Sequence, residues 1–275
     1  MTAFLPPWLT PKRITGFALL AVALLSLAAQ STVAQDRVYR SERAAFQLNT
    51  IAGGLEHPWG MAFLPGGDIL VTERPGRLRV VRGGKLQRRP VSGVPKVVAR
   101  GQGGLLDVIA HPRFAENRLI YLSYAARGAG GVGTHVARAR LNGGKLTDVR
   151  VIFAALPRNS GGVHFGSRMV FGPDGLLYIT SGERGEPEDA QKLGTHTGKV
   201  IRITDTGAVP PGNPFAGRTG AKPEIFTFGN RNPQGIALHP ATGKIWAVEH
   251  GPKGGDEINI LAPGANYGWP VITYG

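Results

Sequence analysis

The sequence predicts an all-β fold of the β-propeller type, and three observations predict it. Four windows repeat one plan: HPWGMAFLPGGDILVTER from His57, GGLLDVIAHPRFAENRLIYLSYA from Gly103, HFGSRMVFGPDGLLYITSGER from His164 and NPQGIALHPATGKIWAVEHGP from Asn232. Each joins a short apolar run, a Pro-containing turn and a second apolar run. The 275 residues hold 41 Gly and 21 Pro, a composition that favours many short strands. After Ala34 no segment sustains helical periodicity.

The first 34 residues read as a leader. Lys12 and Arg13 precede an apolar run over residues 14–29, and small residues close it at Thr32-Val33-Ala34. A basic start, an apolar centre and an A-x-A-like end mark a secretory signal peptide, cleaved after Ala34. Its apolar run is short of the roughly 20 residues that a membrane helix needs. A periplasmic or secreted domain over residues 35–275 is expected, with no membrane span after cleavage.

Within that domain the windows align on Pro65, Pro112, Pro173 and Pro240. A recurrence of roughly 45–65 residues is the size of a four-stranded blade. The turns Pro65-Gly66-Gly67-Asp68, Pro173-Asp174-Gly175 and Thr242-Gly243-Lys244 suit hairpins. Residues 77–81 and 199–204 supply further strands between windows. A sandwich would not repeat one hairpin signature four times.

Composition removes several function classes. Without cysteine there is no disulfide framework, thiol catalysis or zinc–thiolate site. The net charge of +14 invites nucleic acid. Yet Arg74, Arg88, Arg127, Arg140 and Lys199 are scattered and no basic block carries interleaved aromatics, so a generally basic surface is expected.

The repeat also locates a site. The residues that open the first strand of each window read Leu55-Glu56-His57, Gln102-Gly103-Gly104, Val163-His164-Phe165 and Asn230-Arg231-Asn232. They differ between repeats, so the fold does not demand them. Gln102, His164, Arg231 and Asn232 are large and polar, and in a propeller these strand ends converge on one mouth of the channel. A hairpin returns its chain to where it began. Glu183 is therefore expected beside His164, and His250-Gly251-Pro252 beside Arg231 and Asn232.

Each feature has two readings. His164 with Glu183 is a general base whose tautomer a carboxylate fixes, or a structural hydrogen bond. Arg231 and Asn232 form an oxyanion site or plain surface. Asp256 and Glu257, with Tyr267 and the carbonyls of Gly251 and Pro252, offer the hard oxygens that Ca²⁺ takes, or a solvated acidic pair. GTHTGKV from Gly194 lacks the spacing of a phosphate loop.

The strings GQGGLLDVIAHPRF, HFGSRMVFGPDGLLYITSGERG, FGNRNPQGIALHP and EHGPKGGDEINIL…GANYGWP resemble the soluble PQQ-dependent aldose sugar dehydrogenases, relatives of soluble quinoprotein glucose dehydrogenase. The resemblance covers about residues 50–275. It implies a six-bladed propeller with PQQ and Ca²⁺ at the mouth, of which this chain holds about four blades plus the start of another. Two closing blades, with the Lys and Arg residues that hold the PQQ carboxylates, are expected beyond Gly275. By the same resemblance Gln102 contacts PQQ, and His164 takes the proton of the sugar's anomeric hydroxyl as hydride passes to PQQ. Glu183 supports that histidine, while Arg231 and Asn232 face the quinone oxygens. The Gly251 and Pro252 carbonyls bind the active-site Ca²⁺, and Asp256, Glu257 and Tyr267 match a second calcium site. The implied partners are an aldose such as glucose and an electron acceptor of quinone, cytochrome or dye type, with a homodimer compatible. A non-catalytic calcium-stabilised binding propeller and an inactive fragment of the dehydrogenase are the alternatives.

Overall fold

Tight turns close the first hairpin of three of the four repeats, and a helical turn over Phe114–Asn117 closes that of the second. The Leu64 N–H donates to the Asp68 carbonyl at 2.9 Å, and the Gly67 N–H returns to Leu64 at 3.0 Å. Gly66 and Gly67 sit at φ +105° and +88°, values that side chains resist. Equivalent closures join Gly172 to Leu176 at 2.9 Å and His239 to Lys244 at 2.8 Å.

The computed structural model describes residues 37–273, and the expected leader lies outside them. Strands β1 (Arg37–Arg40) and β2 (Ala45–Leu48) pair in a unit of their own that ends at Ile51. From Ala52 the chain builds four antiparallel sheets in the arrangement of propeller blades. Blade 1 holds β3 (Pro58–Phe63), β4 (Ile69–Glu73), β5 (Arg77–Arg82) and β6 (Lys85–Leu86). Blade 2 holds β7 (Leu105–Ala110), β8 (Leu119–Gly128), β9 (Gly131–Asn142) and β10 (Lys145–Ala154). Blade 3 holds β11 (Met169–Phe171), β12 (Leu177–Ser181), β13 (Lys199–Ile203) and β14 (Ile225–Phe228). Blade 4 has three strands among the described residues: β15 (Pro233–Leu238), β16 (Ile245–Glu249) and β17 (Glu257–Ile260). Sequence neighbours pair within every blade, as repeated hairpins require. Among the described residues no helix is long and apolar enough to cross a membrane.

Apolar seams join the blades. Leu70, Leu105 and Leu122 pack in the first, Tyr121, Ile179 and Ile201 in the second, and Tyr178, Phe226 and Ala247 in the third. Each fully buried Leu or Ile contributes about 1.5–3 kcal/mol.

The inner strands meet on one guanidinium. Arg168, just before β11, donates Nη1 to Asp107 Oδ1 at 3.1 Å, Nε to the Gln234 carbonyl at 3.0 Å and Nη2 to the Trp59 carbonyl at 3.3 Å. It also lies 4.1 Å from the Trp59 ring centroid, so one side chain on blade 3 touches the other three. Asp107 is 3% exposed and accepts the N–H groups of Val108 and Met169 at 2.9 Å. Burial lifts its carboxyl above the ordinary value, against the pull of Arg168. Gly60 gives it room, because a Cβ there would meet Asp107 Oδ1 at 2.6 Å.

Blades 1 and 4 start alike. Pro58 pairs with Glu73 and Pro233 with Glu249. A proline brings no N–H to the ladder, and the residue two before it donates instead to the glutamate. Glu56 N–H reaches Glu73 Oε1 at 2.7 Å, and Arg231 N–H reaches Glu249 Oε2 at 2.6 Å. In blade 3 β12 ends in Ser181, and the N–H of His164 goes to Gln102 Oε1 at 2.7 Å. Glu249 also accepts from Asn230 Nδ2 at 2.7 Å and Asn259 Nδ2 at 3.0 Å. Burial pushes its carboxyl up to about 7.

Two outcomes follow from these buried acids. Arg168→Ala strips Asp107 of its counter-ion, and the unfolding free energy in urea should fall by about 3 kcal/mol. An unchanged midpoint would show that the strands hold the centre without it. Glu249 has an ordinary value of 4.5 and a folded value of about 7, so between them the folded chain binds the extra proton. Its contribution is complete below 4.5 and is lost as pH rises to about 7, by roughly 3 kcal/mol. In EDTA, Glu249→Gln should flatten that part of the stability profile. A slope of undiminished size would assign the effect to other groups.

Candidate functional site

The lead-in to β11 carries a histidine in a strained conformation. His164 has φ +49°, the left-handed region that non-glycine residues rarely enter. Two contacts hold it there: its N–H on Gln102 Oε1, and Nδ1 on Glu183 Oε1 at 2.5 Å. Glu183 comes from the other end of the hairpin, as the topology predicts. Its N–H bonds the Arg231 carbonyl at 2.8 Å, and Oε2 accepts from the N–H groups of Gly185 and Glu186. The Glu183 side chain is 2% exposed and that of His164 15%. This pairing places the imidazole proton on Nδ1 and leaves the Nε2 lone pair without a protein partner among the described residues. Gly182 is required beside them, since a Cβ there would overlap the His164 carbonyl.

Arg184 pins the chain that leads into His164. Its guanidinium donates to the carbonyls of Val163 and Gly161 and to Asn159 Oδ1, the last at 3.2 Å. It lies 3.4 Å from the Phe165 ring centroid. Burial pushes this guanidinium down to about 10, and the carbonyls are what repay its desolvation. Arg74, after β4 of blade 1, does similar work for the lead-in to blade 2. Its Nη1 bonds the carbonyls of Gly101 at 2.5 Å and Gly103 at 3.1 Å, on either side of Gln102.

Blade 4 supplies the adjoining wall. Arg231 Nη1 donates to the carbonyls of His250 at 3.0 Å and Gly251 at 3.3 Å, with the Trp269 ring 5.4 Å from the guanidinium. The His250 N–H returns to the Asn232 carbonyl at 3.2 Å, so the 250–252 loop lies where the hairpin argument puts it. Asn232 Oδ1 accepts the Gly166 N–H at 3.1 Å, while its Nδ2 takes no protein acceptor among the described residues. Gln102 and Asn232 line a cavity of about 370 Å³ with Trp59, Arg74, Gln234 and His250. That volume suits a small organic ligand.

The Arg74 guanidinium, the amide side chains of Gln102, Asn232 and Gln234 and the Trp59 indole line this space and suit a planar organic anion, while His164 and Arg231 stand outside its lining. For a cation, the adjacent Gly251 and Pro252 carbonyls are hard, neutral oxygens, each already accepting one hydrogen bond, from Arg231 at 3.3 Å and from the Gly255 N–H at 2.9 Å. They are two of the six to eight that Ca²⁺ takes, and solvent or a bound anion would supply the rest. The acidic residues are engaged separately. Asp256 Oδ1 accepts the Gly251 N–H at 3.0 Å, Glu257 Oε2 accepts Asn259 Nδ2 at 3.1 Å, and the Tyr267 hydroxyl donates to the Ile260 carbonyl at 2.7 Å. Among the described residues no cluster of three His, Asp or Glu side chains is set to hold a metal. Sequence reasoning missed Trp59, Arg74, Arg184, Gln234 and Glu249. The Glu-Arg pair at or just past the end of the second strand in windows one and three, Glu73-Arg74 and Glu183-Arg184, was the signal for two of them.

Residues 55–275 match the family described as Glucose / Sorbosone dehydrogenase. The chain is 47% identical over 236 residues to aldose sugar dehydrogenase YliI of Escherichia coli, across 84% of this chain and 64% of that protein. It is 32% identical over 285 residues to quinoprotein glucose dehydrogenase B of Acinetobacter calcoaceticus, across 92% and 59%. The apo form of the soluble aldose sugar dehydrogenase from Escherichia coli superposes with a TM-score of 0.78 at 48% identity, over 80% of this chain and 65% of that one. The PQQ-bound aldose sugar dehydrogenase from Streptomyces coelicolor gives 0.72 at 33% identity, over 86% and 67%. The chain thus spans about three-fifths of the length of the curated relatives it matches. It belongs to the glucose/sorbosone dehydrogenase family.

Proposed function

We propose that this mouth oxidises an aldose, such as glucose, at its anomeric hydroxyl to the lactone, with PQQ as cofactor and Ca²⁺ beside it. The observation that carries the reading is the His164–Glu183 pair at 2.5 Å, held among guanidinium and amide donors. When bound, PQQ would supply the hydride acceptor and Ca²⁺ a positive charge at its oxygens. His164 Nε2 accepts the proton of the sugar hydroxyl. Buried Glu183 keeps the imidazole in the tautomer that can do so and stabilises the imidazolium that forms. Arg231, Gln102 and Asn232 hold and orient the anionic cofactor, and the Gly251 and Pro252 carbonyls hold the ion. A second calcium site on Asp256, Glu257 and Tyr267 belongs to this reading only if those residues leave the separate partners they hold. Electrons then leave to a quinone, cytochrome or dye, outside the cytoplasm if residues 1–34 direct export.

The named activities of the Escherichia coli and Acinetobacter relatives and the PQQ-bound Streptomyces structure support this reading over a binding propeller. The test adds PQQ to the folded chain with and without Ca²⁺ and follows glucose-dependent reduction by absorbance. Reduction should require Ca²⁺. Binding of PQQ with no reduction would favour the non-catalytic reading. His164→Ala should lower turnover by about 10²–10⁴-fold, the usual worth of a general base. PQQ affinity, read by equilibrium dialysis, should stay within about threefold. Equal loss of both would remove His164 from the proton-transfer role.

A further inference from the structure

The face of the propeller opposite the mouth holds a larger cavity, about 620 Å³, in the seam between blades 1 and 2. The turns that end β3, β5, β7 and β9 surround it, which places it at the far ends of the strands whose starts form the mouth. Leu64, Val80 and Leu141 give it an apolar floor. Four arginines stand around that floor: Arg82, Arg88, Arg89 and Arg118.

One of the four is neutralised. Arg82 grips Asp68 with Nε at 2.9 Å and Nη2 at 2.6 Å, and that grip holds the Asp68 carboxyl below its ordinary value. Arg118 stacks 4.9 Å from the Phe114 centroid and has no carboxylate in salt-bridge reach among the described residues. Arg88 and Arg89 have neither hydrogen bond nor ion pair among the described residues. Their backbone is nonetheless fixed. The Gln87 N–H bonds the Val80 carbonyl and the Val91 N–H the Leu78 carbonyl, both at 2.8 Å. Residues 88–90 therefore leave β5 and rejoin it as a short bulge, and Pro90 keeps Arg89 extended. Arg88 and Arg89 thus stand unpaired beside an apolar pocket, and Arg118, which shares the field of Asp68 with Arg82, lines it with them. Like charges so placed repel one another, and an anion relieves that repulsion.

We propose that this cavity binds a small organic anion, with an apolar body on the Leu64–Val80–Leu141 floor and a carboxylate, sulfonate or phosphate on Arg88, Arg89 and Arg118. Guanidinium forks match such oxyanions bidentately, and the volume lies within the range of small-molecule sites. The site lies apart from the mouth and does not depend on the reading given to it.

The test is a calorimetric titration of the full chain with naphthalene-2-sulfonate, beside 2-naphthalenemethanol and inorganic sulfate. The sulfonate should saturate one site, and the neutral alcohol and bare sulfate should each bind at least about tenfold more weakly. Arg88→Ala with Arg89→Ala should weaken the sulfonate at least about tenfold without moving the thermal midpoint, since neither side chain makes an internal contact. Arg231→Ala, at the mouth, should leave it unchanged. No saturable binding, undiminished binding to the Arg88/Arg89 variant, loss on Arg231→Ala, or sulfate binding as tightly as the sulfonate would each overturn the proposal.

Discussion

Arg168 is the contact on which the propeller's centre depends. Packed blades bury their sides in apolar seams, but the inner strands bring backbone carbonyls together around the axis, where apolar side chains cannot satisfy them. A guanidinium meets that need with several donors in one plane. The Arg168 fork spends them on Trp59, Asp107 and Gln234, one from each of the other three blades. Asp107 balances its charge and takes the N–H groups of Val108, within its own strand, and of Met169, which opens β11. The centre is therefore polar, satisfied and fixed in register.

From that centre the mouth follows. Trp59 and Gln234 hold Arg168 through their carbonyls and line the mouth cavity as well, so the hub also sets the wall of the site. The strand starts just beyond it carry Gln102, His164 and Arg231, whose backbones are tied by Arg74, Arg184 and Glu249 in turn. The strained φ of His164 persists because Gln102 and Glu183 hold it from two sides. Blade 3 gives up the glutamate that blades 1 and 4 use on the equivalent N–H. Gln102 takes that N–H instead, coupling two neighbouring mouth residues.

Much of this was legible in the sequence because hairpins obey local rules. The turn prolines, the glycines after them and the alternating apolar runs located the blades. A hairpin's return placed Glu183 beside His164 and the 250–252 loop beside Arg231. The hub was not legible. Arg168 stands where the aligned repeats have Gly60, Asp107 and Gly235, and only the assembled blades show that a glycine, an acid and an arginine are complementary. The far-face arginines were hidden for a related reason. Arg82, Arg88, Arg89 and Arg118 look scattered along the chain, and turns of two blades gather them. Glu249 reads as an ordinary strand end until its burial is known.

The central claim is that the fold delivers a histidine with Nε2 free and Nδ1 committed to a buried glutamate. ¹⁵N NMR of histidine-labelled protein at neutral pH, with His164→Gln to assign the resonance, measures this directly. The account predicts that the His164 signals are those of the Nδ1–H tautomer, with Nε2 unprotonated, and that Glu183→Gln shifts them. An Nε2–H tautomer, or signals indifferent to Glu183, would contradict it.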